Sequence, residues 1–187
     1  MPSMVKDIEK AERALKNAFP KLNLKYFKVT SECDKDYNCI AWAMGLSDRW
    51  VDNSGEGSSW WPLPFSDGSS TKEGLVKAFE SVGFTRCDNN DKEQGYDKVA
   101  LYGDPNEDEW LHAARVINEL EYHSKRGEDW DFHHDSARDA LLNKYYALNS
   151  YGIVYQYMKR PKYQRIRNIY YWLLLMFDKM KNEIRNW

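Results

Sequence analysis

Cys39 is the residue whose position in the chain best suits nucleophilic chemistry. It follows Asn38 and opens the apolar run Ile40–Met44, which Gly45 ends. Because Asn is a common N-cap and Gly a common helix terminator, this spacing predicts a short helix with Cys39 in its first turn. Backbone N–H groups at a helix start favour the thiolate, which is the reactive form of cysteine. Cys39 is therefore the candidate nucleophile.

A histidine that could accept the thiol proton lies farther along the chain. His112 falls within Trp110–Ile117, one of three short β-prone stretches that predict a small antiparallel sheet. In cysteine enzymes a third polar group keeps such an imidazole in the tautomer that accepts a proton. The candidates for this third group are Ser124, His123, Asp131 and His134. The sequence does not choose among these four.

The other predicted elements place these residues in an α+β fold. Apolar residues at helical intervals predict an amphipathic helix over 3–19, and Ser70 with Glu73 has the spacing of a capping box before a helix that Gly83 ends. The predicted strands are Phe84–Cys87, Lys98–Tyr102, Trp110–Ile117, Glu121–Lys125 and Tyr151–Tyr157. We expect N-terminal helices packed on a small antiparallel sheet within one domain, residues 1–160.

Two further helices are predicted towards the C-terminus. One covers 136–149, and the other occupies a C-terminal extension, residues 161–187, with an apolar stripe from Ile166 to Ile184. Such a stripe needs a groove or a partner helix to cover it. The sequence thus predicts a helix-mediated partner or self-association through residues 162–185.

Composition narrows the function classes. With 27 Lys and Arg against 29 Asp and Glu, the net charge of −2 gives no overall electrostatic attraction to nucleic acid. The longest apolar run, Ile169–Phe177, is shorter than the ~20 residues that span a bilayer, and the start lacks the apolar run of a secretory signal. We expect free thiols and a cytoplasmic protein, or one delivered by a route that needs no signal peptide. The four histidines lack paired metal-ligand spacing, so neither a metal nor another cofactor is expected.

Several motifs, taken in order, resemble a known family. They lie at residues 36–43, 60–62, 98–102, 112–115, 124–127, 131–134 and 151–152. Together they resemble an uncharacterised bacterial family with the pattern NCIAWA, KVALY, HAAR, SKxG and DIxH, which is similar in layout to papain-like, NlpC-type cysteine hydrolases. The resemblance implies a papain-like fold, with Cys39 as nucleophile and His112 as base acting on a peptide, isopeptide or amide carbonyl. Arg126 and Phe132 depart from the pattern, which has Leu and Ile there.

The same motifs supply candidates for substrate binding. They are Asn38, Trp42, Trp60, Trp61, Arg115 and Lys125. Arg115 and Lys125 could bind a carboxylate or phosphate, since a guanidinium offers a fork of donors, or could pair with the acidic middle of the chain. The tryptophans could stack on a sugar or frame a peptide groove, although such residues more often cap a core.

Two hypotheses of different classes follow. The first is a cysteine hydrolase, either a peptidase, an amidase or a deamidase, that acts on a protein or peptide substrate, with a bacterial toxin or effector as one form of it. The second is a non-catalytic protein-interaction module with an inherited papain-like fold. In this module Cys39 is merely packed, and the tryptophan-rich loop over 50–61 and the C-terminal apolar stripe bind a partner.

Overall fold

One antiparallel sheet dominates this chain, as a computed structural model shows. The structure describes residues 2–18, 27–54, 59–63, 69–135 and 152–162. Within these ranges the helices are α1 (Pro2–Ala18), α2 (Cys39–Met44) and α3 (Lys72–Ser81). The strands are β1 (Lys28–Val29), β2 (Thr85–Cys87), β3 (Tyr96–Gly103), β4 (Trp110–Asn118), β5 (Glu121–Lys125), β6 (Asp131–Asp135) and β7 (Ile153–Pro161).

The seven strands lie in the order β1-β6-β5-β4-β3-β7-β2, and every neighbouring pair is antiparallel. Strands β3 to β6 follow one another as a meander, whereas β7 returns to lie between β3 and β2. β4 and β5 pair from Arg115 to Asn118, and within the described residues this pairing does not extend back to Ala113. The sheet therefore brings distant parts of the chain, β1 with β6 and β2 with β7, to its two edges.

Each face of the sheet carries a hydrophobic core, because successive side chains of a strand point to opposite faces. The first core lies between the sheet and helices α2 and α3, and includes Ile40, Phe79, Leu101 and Ala113. The second core lies on the opposite face, where Leu15 of α1 packs with the sheet. Its strand residues are Val29, Ala100, Tyr102, Ala114, Tyr122 and Phe132. Which face a side chain occupies thus decides which residues can act together.

The predicted papain-like fold, with N-terminal helices packed on a small sheet, is wrong. The structure is mostly a seven-stranded sheet with few, short helices in its described part. The prediction missed β1 and β6. β6 escaped notice because Phe132 is its only large apolar residue, while polar Asp131 and His134 are buried beside it. A strand that buries polar side chains does not show the alternation of apolar and polar residues on which strand prediction depends.

Several local predictions are confirmed. α1 and α2 lie where the sequence placed them, and β3, β4 and β5 contain the three predicted β-prone stretches. The cap of α3 differs: Thr71, not Ser70, is the N-cap, and its Oγ1 accepts a hydrogen bond from the Gly74 N–H at 3.0 Å. The predicted helix over 136–149 and the C-terminal helix beyond 162 lie outside the described residues. None of the helices in the described ranges combines the length and apolar character needed to span a membrane.

Candidate functional site

Cys39 begins α2, as predicted, and local hydrogen bonds hold that helix start in place. The side-chain oxygen of Asn38 accepts a hydrogen bond from the Ala41 N–H at 3.0 Å. Its Nδ2 donates to the Val51 carbonyl at 2.9 Å. At the other end Gly45 has φ 88°, a left-handed conformation that suits glycine. Asn38 is thus a structural cap, and it presents Cys39, which is partly exposed, at the edge of the first core.

The Cys39 thiol is the resting form, contrary to the prediction of a thiolate. Burial raises its pKa to about 11, although the N–H groups of Ala113, Ile40 and Cys39 itself and the Lys125 ammonium favour the charged form. Although Cys39 is partly exposed, the protein atoms packed around it displace water, and this desolvation penalises the anion directly. α2 has only 6 residues, so its helix start offers limited compensation. Any reaction at Cys39 therefore needs a group that removes the thiol proton as the sulfur attacks.

This raised pKa predicts an unusual pH dependence for alkylation of Cys39. Because only the thiolate reacts, the rate with iodoacetamide should rise about tenfold per pH unit from about pH 7 to pH 10, without a plateau near the ordinary thiol pKa of ~8.5. Peptide mass spectrometry measures the rate at Cys39 in the folded protein, and Cys39→Ser identifies the peptide. A plateau below about pH 9 would contradict the desolvated environment described here.

His112 does not meet Cys39. It pairs with Tyr102 across β4 and β3, so its side chain belongs to the face of the second core, whereas Cys39 packs against the first core. His112 Nε2 lies 3.1 Å from Ser124 Oγ, and Ser124 Oγ lies 2.9 Å from His134 Nε2. All three side chains are fully buried. Burial also lowers the pKa of His112 well below its ordinary value, so the imidazole is neutral at physiological pH.

The predicted grouping of Cys39 with His112, Ser124 and His134 is therefore not assembled. The reason is the two-residue period of a strand: a difference of one position moves a side chain to the other face. His112, Ser124 and His134 instead form a buried hydrogen-bonded chain across β4, β5 and β6. Among the predicted catalytic partners, Asp131 and His123 lie on the same face of the sheet as Cys39.

Asp131 belongs to a buried polar cluster on the Cys39 side of the sheet. Its Oδ2 accepts a hydrogen bond from the Tyr37 hydroxyl at 2.9 Å, and its Oδ1 lies 3.8 Å from Lys125 Nζ. Lys125 is fully buried, donates to the Asp129 carbonyl at 2.8 Å, and lies over the Tyr37 ring at 4.3 Å from its centroid. Burial raises the pKa of Asp131 above its ordinary value. We call Tyr37, Lys125 and Asp131 the buried polar cluster.

Tyr37 was missed by the sequence reasoning, although it stands two positions before Cys39. Both residues belong to the motif at 36–43, and that motif could have pointed to Tyr37. The sequence does not show that Lys125 and Asp131 are neighbours, because their proximity depends on β5 pairing with β6 in the register Lys125↔Asp131.

Trp42 of α2 and Arg115 of β4 contact each other beside the buried polar cluster. Arg115 donates from Nε to the Trp42 carbonyl at 2.7 Å, and its guanidinium carbon lies 3.7 Å from the centroid of the Trp42 ring. A cation near the C-terminal carbonyls of a helix stabilises it. The Trp42 ring also stacks on Tyr37, with centroids 5.6 Å apart. Arg115 thus has a structural role in holding α2, beside any role in binding.

His123 is the one histidine of the four that contacts Trp42. Its ring meets the Trp42 ring edge-on at 5.2 Å, and its Nε2 lies 2.7 Å from Thr30 Oγ1. Burial, with His133 nearby, lowers the pKa of His123 to about 3, so this imidazole is neutral. Because its pKa is this low and its Nε2 already contacts Thr30, His123 is a poor base for the Cys39 proton.

Trp60 and Trp61, two of the tryptophans predicted to contact substrate, both pack against the first core. Trp61 is buried in the first core and stacks on Trp110, with centroids 6.2 Å apart. Trp60 packs against the same core and pairs with Val51 in an isolated bridge. Trp61 is therefore a core residue, whereas Trp60 remains partly exposed.

A groove of about 800 Å³ lies at the other end of α2. Its lining includes Gly45, residues 90–98 (a loop and the start of β3), Arg115 and Arg160. Arg160 is almost fully buried and donates to the Met44 carbonyl at 3.0 Å and the Val82 carbonyl at 3.2 Å. In the described ranges, no three His, Cys, Asp or Glu side chains are grouped so that they could hold a metal ion.

Comparison with known proteins identifies the family. The fold and site define a protein built on an antiparallel sheet, with a partly exposed cysteine beside a buried polar cluster. Residues 28–159 match the family model described as "Domain of unknown function (DUF7689)". The chain belongs to this family, and the matched region runs from the first residue of β1 into β7. No curated protein and no solved structure matches the chain.

Proposed function

We propose that the protein is a cysteine hydrolase that attacks an amide carbonyl through Cys39, with Asp131 as proton acceptor in place of His112 and with Lys125 stabilising the oxyanion. The observation that supports this most directly is the complete burial of Lys125 on the Cys39 side of the sheet. Lysine is almost never fully buried unless it is paired, and its carboxylate partner lies at 3.8 Å. Ionisable groups held at such a cost concentrate at functional sites.

The proposed reaction gives a role to Cys39, Asp131 and Lys125. As the Cys39 sulfur forms a C–S bond with the substrate carbonyl carbon, the thiol proton passes to the Asp131 carboxylate and the carbonyl electron pair moves onto oxygen. The Lys125 ammonium stabilises this oxyanion. Collapse breaks the C–N bond, and the leaving nitrogen takes the proton from Asp131. Water then hydrolyses the thioester and restores the thiol.

The raised pKa of Asp131 fits this role. A carboxylate with a raised pKa is a better proton acceptor than an ordinary one, because general-base efficiency increases as the pKa approaches the working pH. The substrate in this proposal is a protein or peptide, and a bacterial effector role remains part of it. Cys33, Cys39 and Cys87 are all free, which supports a cytoplasmic location, where thiols stay reduced.

Acyl transfer from p-nitrophenyl acetate tests the proposal. We expect release of more than one equivalent of p-nitrophenol per chain and a thioester on Cys39, detected by peptide mass spectrometry. Cys39→Ser should abolish this turnover. Cys33→Ser is the matched control, because Cys33 is exposed and lies outside the site, and it should leave turnover unchanged. Turnover that survives Cys39→Ser would refute the proposal.

The second candidate is a binding module without chemistry. The groove of about 800 Å³ at the C-terminal end of α2 favours it, since Cys39 is not among the residues that line this groove. In this case Cys39 is a packed thiol and acquires no acyl group until the protein unfolds. The same acylation experiment therefore separates the two candidates.

A further inference from the structure

Two buried polar atoms near Cys39 lack a hydrogen-bond partner among the described residues. They are Oδ1 of Asp131 and Nε1 of Trp42. Asp131 is 4 % exposed, and the nearest cation to Oδ1, the Lys125 ammonium, lies 3.8 Å away, beyond hydrogen-bond distance. A buried polar group left without a partner is costly, so a ligand that satisfies it gains the corresponding affinity. Oδ1 of Asp131 is a hydrogen-bond acceptor, and Nε1–H of Trp42 is a hydrogen-bond donor.

Both atoms border the same side chains. The Tyr37 ring stacks on the Trp42 ring with an angle of 28° between the ring planes. The Tyr37 hydroxyl donates a hydrogen bond to Oδ2 of Asp131. Cys39 and Trp42 are three positions apart on α2, and residues at this spacing are neighbours on a helix surface. Cys39 and Trp42 are also both partly exposed, so a molecule can reach this side of α2 from solvent.

The charges around these atoms limit what can bind. The buried polar cluster contains the cation Lys125, and a second cation, Arg115, lies against Trp42 beside it. Asp131 is the anion of the cluster and lies between Lys125 and Tyr37. An ammonium group would be repelled by two cations, and a carboxylate would face the Asp131 carboxylate. A neutral carboxamide avoids both conflicts, since its N–H donates to Oδ1 while its carbonyl accepts from Nε1. Because Asp131 is nearly inaccessible, the group that reaches it must be terminal.

We infer that Asp131 and Trp42 form a subsite for a terminal primary carboxamide, so that the hydrolase releases ammonia. This inference rests on the proposed function of Cys39. In the first step the Cys39 thiol reacts with R–CO–NH₂, and the products are the R–CO–S thioester on Cys39 and NH₃. Water then converts the thioester to R–COOH and regenerates the thiol. The thiol proton leaves on the ammonia, and the oxygen gained by the acid comes from water.

Two alkylating reagents of nearly equal size test the subsite. Iodoacetamide carries the carboxamide, and iodoacetate carries a carboxylate in its place. We expect Cys39 to react at least about tenfold faster with iodoacetamide, after each rate is divided by the rate at Cys33, which is exposed and corrects for intrinsic reactivity. Tenfold corresponds to one hydrogen bond to a charged group. Competition kinetics with peptide mass spectrometry on the intact chain gives all four rates.

Two variants then locate the preference. Asp131→Asn changes the acceptor but also leaves Lys125 buried without a counterion. Trp42→Phe therefore provides the second test, because it removes the indole N–H and keeps an aromatic ring beside Tyr37. Trp42→Phe should lower the normalised preference several-fold. Trp50→Phe is the matched control and should leave it unchanged, because the Trp50 N–H is satisfied by the Lys35 carbonyl at 2.6 Å.

The outcomes separate this inference from the proposed function. If Cys39 reacts with both reagents at the Cys33 ratio, or prefers iodoacetate, the carboxamide subsite is refuted while Cys39 remains a nucleophile. A preference that survives Trp42→Phe indicates that Nε1 binds structural water only, and it also refutes the subsite. If Cys39 reacts with neither reagent in the folded protein, the proposed function and the inference both fail.

Discussion

Asp131→Asn is expected to lower the free energy of unfolding by about 3–5 kcal/mol. The substitution keeps the shape of the side chain and removes its charge, which leaves the Lys125 ammonium fully buried without a counterion. Breaking a buried ion pair by removing one partner carries a penalty of about this size, since the remaining charge has lost both its water and its partner. Urea unfolding at neutral pH measures the change.

Two comparisons show whether burial is the cause. Adding Lys125→Met to Asp131→Asn removes the stranded charge and should recover most of the loss, which a double-mutant cycle reports as coupling. Arg86 and Glu73 form a shorter ion pair, at 2.6 Å, but their side chains are 45% and 51% exposed. Glu73→Gln should cost less than about 1 kcal/mol, because water screens that pair. Equal costs for Asp131→Asn and Glu73→Gln would contradict the buried cluster.

Gly152→Ala is expected to cost about 2–5 kcal/mol or more, because two penalties combine. Gly152 has φ +74°, a left-handed conformation that costs an L-residue about 1–2 kcal/mol. A Cβ at this position would also lie 2.0 Å from the Gly103 carbonyl oxygen and 2.6 Å from its carbon. These are backbone atoms of β3, so relief of the contact requires β7 and β3 to separate, which adds about 1–3 kcal/mol or more.

Gly95→Ala is the matched control for this prediction. Gly95 has φ +83°, but a Cβ there would meet no atom within 4 Å. Its substitution should therefore cost only the conformational part, about 1–2 kcal/mol. In thermal unfolding of a chain of this length, each 1 kcal/mol lowers the Tm by about 2–4 °C. Similar shifts for the two variants would show that β7 does not approach β3 as closely as described.

The candidate site illustrates how far strand residues can be assigned from sequence. β4 has the sequence Trp-Leu-His-Ala-Ala-Arg-Val-Ile-Asn, which does not alternate between apolar and polar residues. Nothing in that pattern indicates which face His112 occupies. The face follows from the register with β3, where Tyr102 lies opposite His112 and Leu101 opposite Ala113. Ala113 therefore meets α2, and His112 points into the second core.

Local signals were sufficient to predict α1, α2 and the strands β3, β4 and β5. The α2 prediction was accurate at both ends because its determinants, the Asn38 cap and the Gly45 terminator, are neighbours of the helix in the chain. The predicted thiolate failed for a related reason. A helix start is a local feature, but desolvation of the Cys39 sulfur comes from the sheet packed against it.

The sequence by itself determined the amphipathic helix at the start, the capped helix that carries Cys39, and a set of antiparallel strands, since caps, turns and apolar periodicity act between near neighbours. The tertiary structure alone decided that β6 joins the sheet, that Asp131 and Lys125 lie beside each other, and that His112 is turned away from Cys39. Strand order and register are set by contacts between residues far apart in the chain, and a shift of one residue reverses every side chain of a strand.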